Sequence, residues 1–262
     1  MLCAIRQSDR LTVEAYSQAK SSAPFVCPVC KDTVILRKGT QRIHHFAHKP
    51  PVTCTYGAGE TEVHRRCKSA VYLGLLQHPS AKNAALERYL KTVRPDVSAR
   101  ISGIPVAIEV QISALSVETI VHRTEEYTRK GIFLLWLAQW DPSLDSKRYS
   151  PSVWERWLHA AYLGRIYYWT EGLTVIPYHM APYSTCVEES HWYSSSGDEM
   201  SAGGYERTSK RYKTPIRGRT LDITKDFRGA QFDPWSSTTV SVPRRTIFLD
   251  RYEKPQSNAT HP

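Results

Sequence analysis

Along residues 106–113 apolar and polar positions alternate with a period of two. Val106, Ile108, Val110 and Ile112 fall on one face, and Ala107, Glu109, Gln111 and Ser113 fall on the other. This predicts a strand over 105–112 with one core face and one short polar row. Two further strands are expected at 84–90 and 94–101, although 84–87 also suits a helix by propensity. Pro95 biases Arg94 towards extended geometry. Gly103 marks a turn, so an antiparallel pairing of 94–101 with 105–112 would bring Asp96 beside Glu109. Upstream, Val63, Cys67, Ala70, Val71 and Gly74 recur at helical spacing, predicting a helix over 60–77 that packs on a sheet. Glu60, His64 and Lys68 form a separate polar stripe at four-residue intervals.

Downstream, Ser116 is suited to cap a helix that carries Glu118 in its first turn, runs to about Lys130 and stops at Gly131. The unbroken apolar run 132–137 reads as a central or parallel strand. The order over 60–137 is therefore helix, three strands, helix, strand. A hairpin of 2–6 with 11–15 precedes it, with Cys3 as a small buried hydrophobe. A helix over 153–163 and a hairpin of 166–169 with 173–178 follow. Beyond 180, Ser194-Ser195-Ser196-Gly197, Gly203-Gly204 and scattered prolines read as linker. Within that region lie a basic stretch at 210–219 and an apolar patch, Ile247-Phe248-Leu249, suited to a docking strand.

Composition narrows the class. The 262 residues, 41% of them hydrophobic, suffice for one domain with appendages or two modest ones. No stretch approaches the ~20 apolar residues of a membrane span. The first residues lack the pattern of a secretory signal, so a cytoplasmic protein without a membrane partner is expected. A net charge of +10 points to a polyanionic partner, with DNA the first candidate. Trp and Tyr crowd residues 138–180. Most suit a core, and a minority beside Arg165 suit stacking on unpaired bases.

Candidate chemistry enters at two places. Asp96 and Glu109 sit inside apolar, β-branched runs, where an uncompensated carboxylate is costly. A hard divalent cation, held by both carboxylates, a backbone carbonyl and waters, would account for them and could promote phosphodiester hydrolysis. Nearer the N-terminus, Cys27-Pro28-Val29-Cys30 offers two thiolates, and His45-Phe46-Ala47-His48 offers two imidazoles at the same spacing. Closed Cys2His2 coordination of zinc by Cys27, Cys30, His45 and His48 is expected, with His44 and Cys54 as competing ligands. Six cysteines in this length make no disulfide framework, and a reducing compartment favours metal over a bridge.

Pro95-Asp96 followed by Glu109-Val110-Gln111 resembles the PD-(D/E)xK nuclease motif, with Gln in the Lys place. Together with the CxxC and HFxH elements, it resembles the competence protein CoiA family of nuclease-like proteins. The resemblance implies an α+β chain with a restriction-endonuclease-like core. A zinc-ribbon-like module would precede the core, and a partly irregular tail would follow. It implies Mg2+ or Mn2+ held by Asp96, Glu109 and the Val110 carbonyl. Glu60 and His64 would complete the site, with Glu62 replacing Glu60 if the helix begins later. Gln111 would orient water or the scissile phosphate. Lys68, Arg94, Arg123 and Tyr127 would contact DNA, and cleavage would leave 5′-phosphate and 3′-hydroxyl ends.

The expected division is 1–56 for the zinc module, 57–180 for the nuclease-like domain and 181–262 for a linker and basic tail, a place where recombination or repair proteins could dock. Gln111 departs from the consensus. An amide donates a hydrogen bond but supplies no positive charge. A second expectation follows from this: a DNA-binding accessory protein in recombination with a degenerate site. A transcriptional regulator fits less well, since no helix is rich in base-reading side chains.

Overall fold

The structure is a computed structural model that describes residues 1–112 and 115–252. Ser113, the end of the polar row, lies outside the described residues. The N-terminal part is a five-stranded sheet of β1 (Cys3–Arg6), β2 (Thr12–Glu14), β3 (Phe25–Val26), β4 (Thr33–Arg37) and β5 (His45–His48), ordered β2-β1-β3-β4-β5. Met1, Val13, Phe25, Val34, Leu36 and Phe46 close a small core on it.

The expected order then appears. Helix α1 (Glu62–Gln77) is followed by β6 (Ala81–Leu86), β7 (Val97–Ile101), β8 (Ile104–Gln111), helix α2 (Val117–Arg129) and β9 (Phe133–Gln139). Helix α1 starts two residues later than expected because Thr61 caps it, its side chain accepting from the His64 N–H. Cys67, Val71 and Leu75 form its buried stripe. At Gly74 the helix meets the following hairpin so closely that a Cβ would lie 2.7 Å from the Leu173 side chain. Ser116 caps α2 as expected, accepting from the Thr119 N–H at 3.2 Å.

Strands β7 and β8 pair antiparallel with Val97 opposite Ile108, while β9 runs parallel to β8 with Glu109 opposite Trp136. The polar row of β8 is not a solvent face. Every residue from Val106 to Gln111 is buried, because helices and loops cover both sides of the sheet.

Next come α3 (Val153–Ala161), β10 (Ile166–Glu171) and β11 (Thr174–Val187). A capping box between Ser152 and Glu155 starts α3. The linker and irregular tail expected over 181–262 are not what 181–252 forms. Strand β11 runs on into a long hairpin with β14 (Tyr205–Arg217), and β12 (Ser190–Tyr193) with β13 (Glu199–Ala202) forms its tip. Strands β15 (Leu221–Asp222), β16 (Phe227–Phe232), β17 (Trp235–Ser236), β18 (Ser241–Val242) and β19 (Arg245–Asp250) follow. β19 lies parallel to β9 with Ile247 opposite Leu134, and it pairs antiparallel with β16. The expected break at 180 therefore falls inside a strand, and the last described strand belongs to the central sheet. Ladder pairing uses backbone groups, so a strand exposed on both faces tolerates the charge and serine content that read as linker.

The resulting large sheet is ordered β14-β11-β10-β9-β8-β7-β6, with β19 and β16 joined beside β9. The architecture is mixed α+β with few helices. No helix of the described residues is long and apolar enough to cross a membrane.

All six residues of β19 are buried. Burying Ile247, Phe248 and Leu249 contributes about 1.5–3 kcal/mol each, a sum comparable with the ~5–15 kcal/mol stability of a whole domain. A chain ended at residue 240 should therefore lose its cooperative thermal transition. A truncated chain that melts at the full-length midpoint would contradict the placement of β19 in the core.

Candidate metal and nucleic-acid site

The antiparallel register fixes the first pair of acids. Because Val97 faces Ile108, extending the ladder by one residue sets Asp96 across from Glu109. The Val110 N–H donates to Asp96 Oδ2 at 2.9 Å, tying the acid to the end of β8. From α1, His64 Nε2 lies 3.2 Å from the same oxygen, and the Lys68 ammonium lies 3.4 Å from Oδ1. His64 and Lys68 are one helical turn apart, so both reach β7 from one face of α1.

Lys68 is the centre of this arrangement. It is 3% exposed and also pairs with Glu60 and, at 2.6 Å, with Glu87. Burial works to strip the proton from the ammonium, but Glu87, Asp96 and Glu60 outweigh it and hold the Lys68 pKa well above its usual range. The same charge acts back on the acids. Burial opposes ionisation of Asp96, yet Lys68 and His64 hold its carboxyl well below the ordinary carboxylate range. Glu87, buried against Lys68 and hydrogen-bonded by Tyr56, falls to about 2.

Glu109 behaves in the opposite way. It is 1% exposed. Its Oε1 accepts from the Tyr127 hydroxyl at 2.6 Å, and its Oε2 pairs with Arg123 at 2.9 Å. Burial nevertheless pushes it up to about 7, with the Asp96 charge adding to the rise against the pull of Arg123 and Tyr127. Asp96 is thus the standing anion and Glu109 the reluctant one. Arg123 already supplies one cation to that second charge, and any further cation would favour the ionised form.

Asp96 borders a cleft of about 470 Å³ between the N-terminal module and the sheet, while Glu109 lies buried behind Arg123, which reaches the same cleft. Asp96, His64, Val110 and Gln111 line it, together with Arg94 and Arg123. The Arg94 guanidinium carbon sits over the Tyr56 ring, 4.5 Å from its centroid, a cation–π contact that holds the group beside the cleft. The Arg123 side chain is 39% exposed and free to exchange Glu109 for another anion.

Four expectations about individual residues change. Lys68 reaches the cleft wall, but its ammonium is paired with three carboxylates, Glu60, Glu87 and Asp96. Tyr127 is fully buried and spends its hydroxyl on Glu109, so it stacks on no base. Glu60 precedes α1 and turns towards Lys68, Arg65 and the Met1 amino group, 2.7 Å away, which makes it a counter-ion to cations. Glu62 does not replace it, since its carboxylate accepts from the Ile43 N–H at 2.7 Å and pairs with Arg65 at 3.1 Å. The residue that the sequence did not reveal is Glu87. It accepts from the Leu2 and Cys3 N–H groups as well as from Lys68, joining the two modules. A charge just past a weakly patterned strand gave only a faint signal.

The second cluster lies in the N-terminal module. Ligand atoms of Cys27, Cys30, His48 and Cys54 all lie within 4.8 Å of one another. Cys27 Sγ and Cys54 Sγ are 3.9 Å apart, and Cys30 Sγ is 3.3 Å from His48 Nε2. Sulfurs about 2.3 Å from a tetrahedral ion would be about 3.8 Å apart, whereas a disulfide needs about 2.05 Å. Desolvation pushes the Cys30 thiol up to about 12, and a cation held by the cluster would favour its thiolate. Cys54, named above as a competitor, replaces His45. Residues 45 and 48 are an odd number apart in β5 and face opposite sides. His45 Nδ1 instead lies 2.8 Å from the Ile43 carbonyl.

Residues 8–57 match the N-terminal domain of competence protein CoiA, and residues 60–156 match its nuclease-like domain. Competence protein CoiA of Bacillus subtilis (strain 168) is 33% identical over 116 residues, 43% of this chain and 31% of that protein. The match thus spans about a third of the relative's length. No solved structure matches the chain.

The cluster makes a divergent prediction for two neighbouring histidine and cysteine positions. Cys54→Ala should abolish the stoichiometric metal measured by elemental analysis of the purified protein, while His45→Ala should keep it. Retention in Cys54→Ala with loss in His45→Ala would overturn the assignment.

Proposed function

The chain belongs to the CoiA-like family, and from that premise we propose that it is a divalent-metal-dependent DNA nuclease with a PD-(D/E)xK core. The observation that carries the reading is the ladder position of Asp96 across from Glu109 beside a basic-rimmed cleft. Helix α1, strands β6 to β8, helix α2 and the parallel strand β9 follow in the order that such a core requires.

The donor set suits a hard cation: two carboxylates at facing strand positions, with the Val110 carbonyl adjoining them in the chain. Mg2+ or Mn2+ held there would neutralise a phosphodiester and lower the barrier to attack by water. Around it, the chain's own residues divide the remaining work. Asp96 is kept ionised by Lys68 and His64 and needs no change of protonation to bind. Glu109 must be ionised and must loosen its hold on Arg123. The freed guanidinium is then available to the phosphate at the cleft wall. Arg94, fixed over Tyr56, supplies a second phosphate contact.

Gln111 orients water or the phosphate through its amide and brings no charge. The positive charge missing there is present on Lys68, which approaches Asp96 from α1. Its raised pKa excludes it as a base, so its part is electrostatic. The Cys27, Cys30, His48 and Cys54 cluster suits zinc, and a site closed by four protein ligands holds the N-terminal module together without taking part in hydrolysis.

A degenerate DNA-binding accessory protein is the second reading. It is favoured by the protein donors that already satisfy both oxygens of Glu109 and both of Asp96.

Cleavage assays on single-stranded, duplex and branched DNA separate the two. With Mg2+ or Mn2+ supplied, the nuclease reading expects cleavage that falls at least about 100-fold in Asp96→Asn and Glu109→Gln. Activity at limiting metal should rise with pH as Glu109 loses its proton near pH 7. The inflection should move lower as metal is raised, since the cation favours the deprotonated form. An intact protein that leaves every DNA form uncut would sink this reading.

A further inference from the structure

On the side of α2 away from the cleft lies a larger cavity of about 1060 Å³. At 3.6 residues per turn, Val121 and Glu125 face nearly opposite to Arg123. The first two line the cavity and the last lines the cleft. Three cations reach the cavity, Arg156 from α3 and Lys210 and Lys213 from β14, against the single acid Glu125.

The two lysines share this lining because β14 is irregular. Residues 210 and 213 of an ordinary strand would face opposite sides. Here Pro182 pairs with Lys213 and Ser184 with Thr208, so Tyr183 alone opposes residues 209–212. The Tyr212 N–H donates to Ser209 Oγ at 2.9 Å within the bulge. Bulges re-aim side chains in this way.

The same cavity is lined by Trp235, 51% exposed on the short β17–β18 pair. The indole of buried Trp157 donates to the Ser241 carbonyl at 3.0 Å, anchoring that pair to α3. The cavity therefore combines an exposed indole on a held support with three cations on its walls.

We propose that this cavity is a second nucleic-acid site that seats single-stranded DNA, with an unpaired base on Trp235 and backbone phosphates on Arg156, Lys210 and Lys213. The partner is single-stranded because stacking on an indole needs a free base face, which a duplex keeps covered. The site extends the reading of the nuclease-like cleft to a strand that passes over α2 between two binding places. It rests on that reading for its choice of DNA, and its own chemistry requires no cleavage.

The test is equilibrium binding of a fluorescent oligothymidylate to the full chain, with Mg2+ and Mn2+ omitted. Lys210→Ala with Lys213→Ala should weaken binding by tenfold or more. The double change should also flatten the slope of log affinity against log salt by about 1.4, which is two phosphates at about 0.7 each. Trp235→Ala should weaken binding roughly tenfold and leave the slope unchanged. Lys210→Arg with Lys213→Arg should restore both affinity and slope, and each variant should keep the wild-type melting temperature. Groove variants that are folded yet bind the oligothymidylate as tightly as the parent would overturn the site, as would losses confined to duplex DNA. Because the assay excludes cleavage, a protein without nuclease activity can still pass it, and an active nuclease can fail it.

Discussion

A buried lysine that must be neutralised organises this molecule. Lys68 comes from the middle of α1, and its ammonium draws together Glu60 ahead of the helix, Glu87 at the end of β6 and Asp96 at the start of β7. Glu87 in turn accepts from the backbone of β1. One cation thus links the N-terminal sheet, the first helix and the central sheet. Breaking a buried pair by removing one partner costs about 3–5 kcal/mol, because the remaining charge has no compensation. The carboxylates therefore have little freedom to move, and Asp96 is delivered to the end of β8 in a fixed place and a fixed ionisation state.

The second acid is held on different terms. Glu109 occupies the ladder position across from Asp96, but its nearest cation is the half-exposed Arg123, and its proton affinity lies near neutrality. Asp96 is thus held ionised by partners that include the buried Lys68, whereas Glu109 relies for its charge on a partly exposed one. The asymmetry is what a cation could exploit. Its entry would stabilise Glu109 as an anion and release Arg123 towards the cleft, coupling metal binding to phosphate recognition through a single side chain.

Much of this was legible in the sequence wherever local rules and tertiary context agreed. The period-two pattern around Glu109, the cap at Ser116 and the Gly103 turn each follow from short-range chemistry. The antiparallel register then brought Asp96 to Glu109. The failures have physical causes. His45 and His48 share a spacing that suits a turn, but in a strand it splits them between faces, and Cys54 took the vacant place. Glu87 gave little signal, because its partners lie 19 residues away at Lys68 and more than 80 away in β1. The charged, serine-rich stretch after residue 180 read as linker because its strands are largely exposed, and the strand that completes the sheet, β19, comes only near the end of the chain.

We propose that Asp96 and Glu109 share one divalent cation. Titrating the zinc-loaded protein with Mn2+ while following the signal of the free aquo ion by electron paramagnetic resonance tests it directly. One saturable Mn2+ per chain is expected, absent from the Asp96→Asn, Glu109→Gln double variant. Identical titration curves for the parent protein and that variant would contradict it.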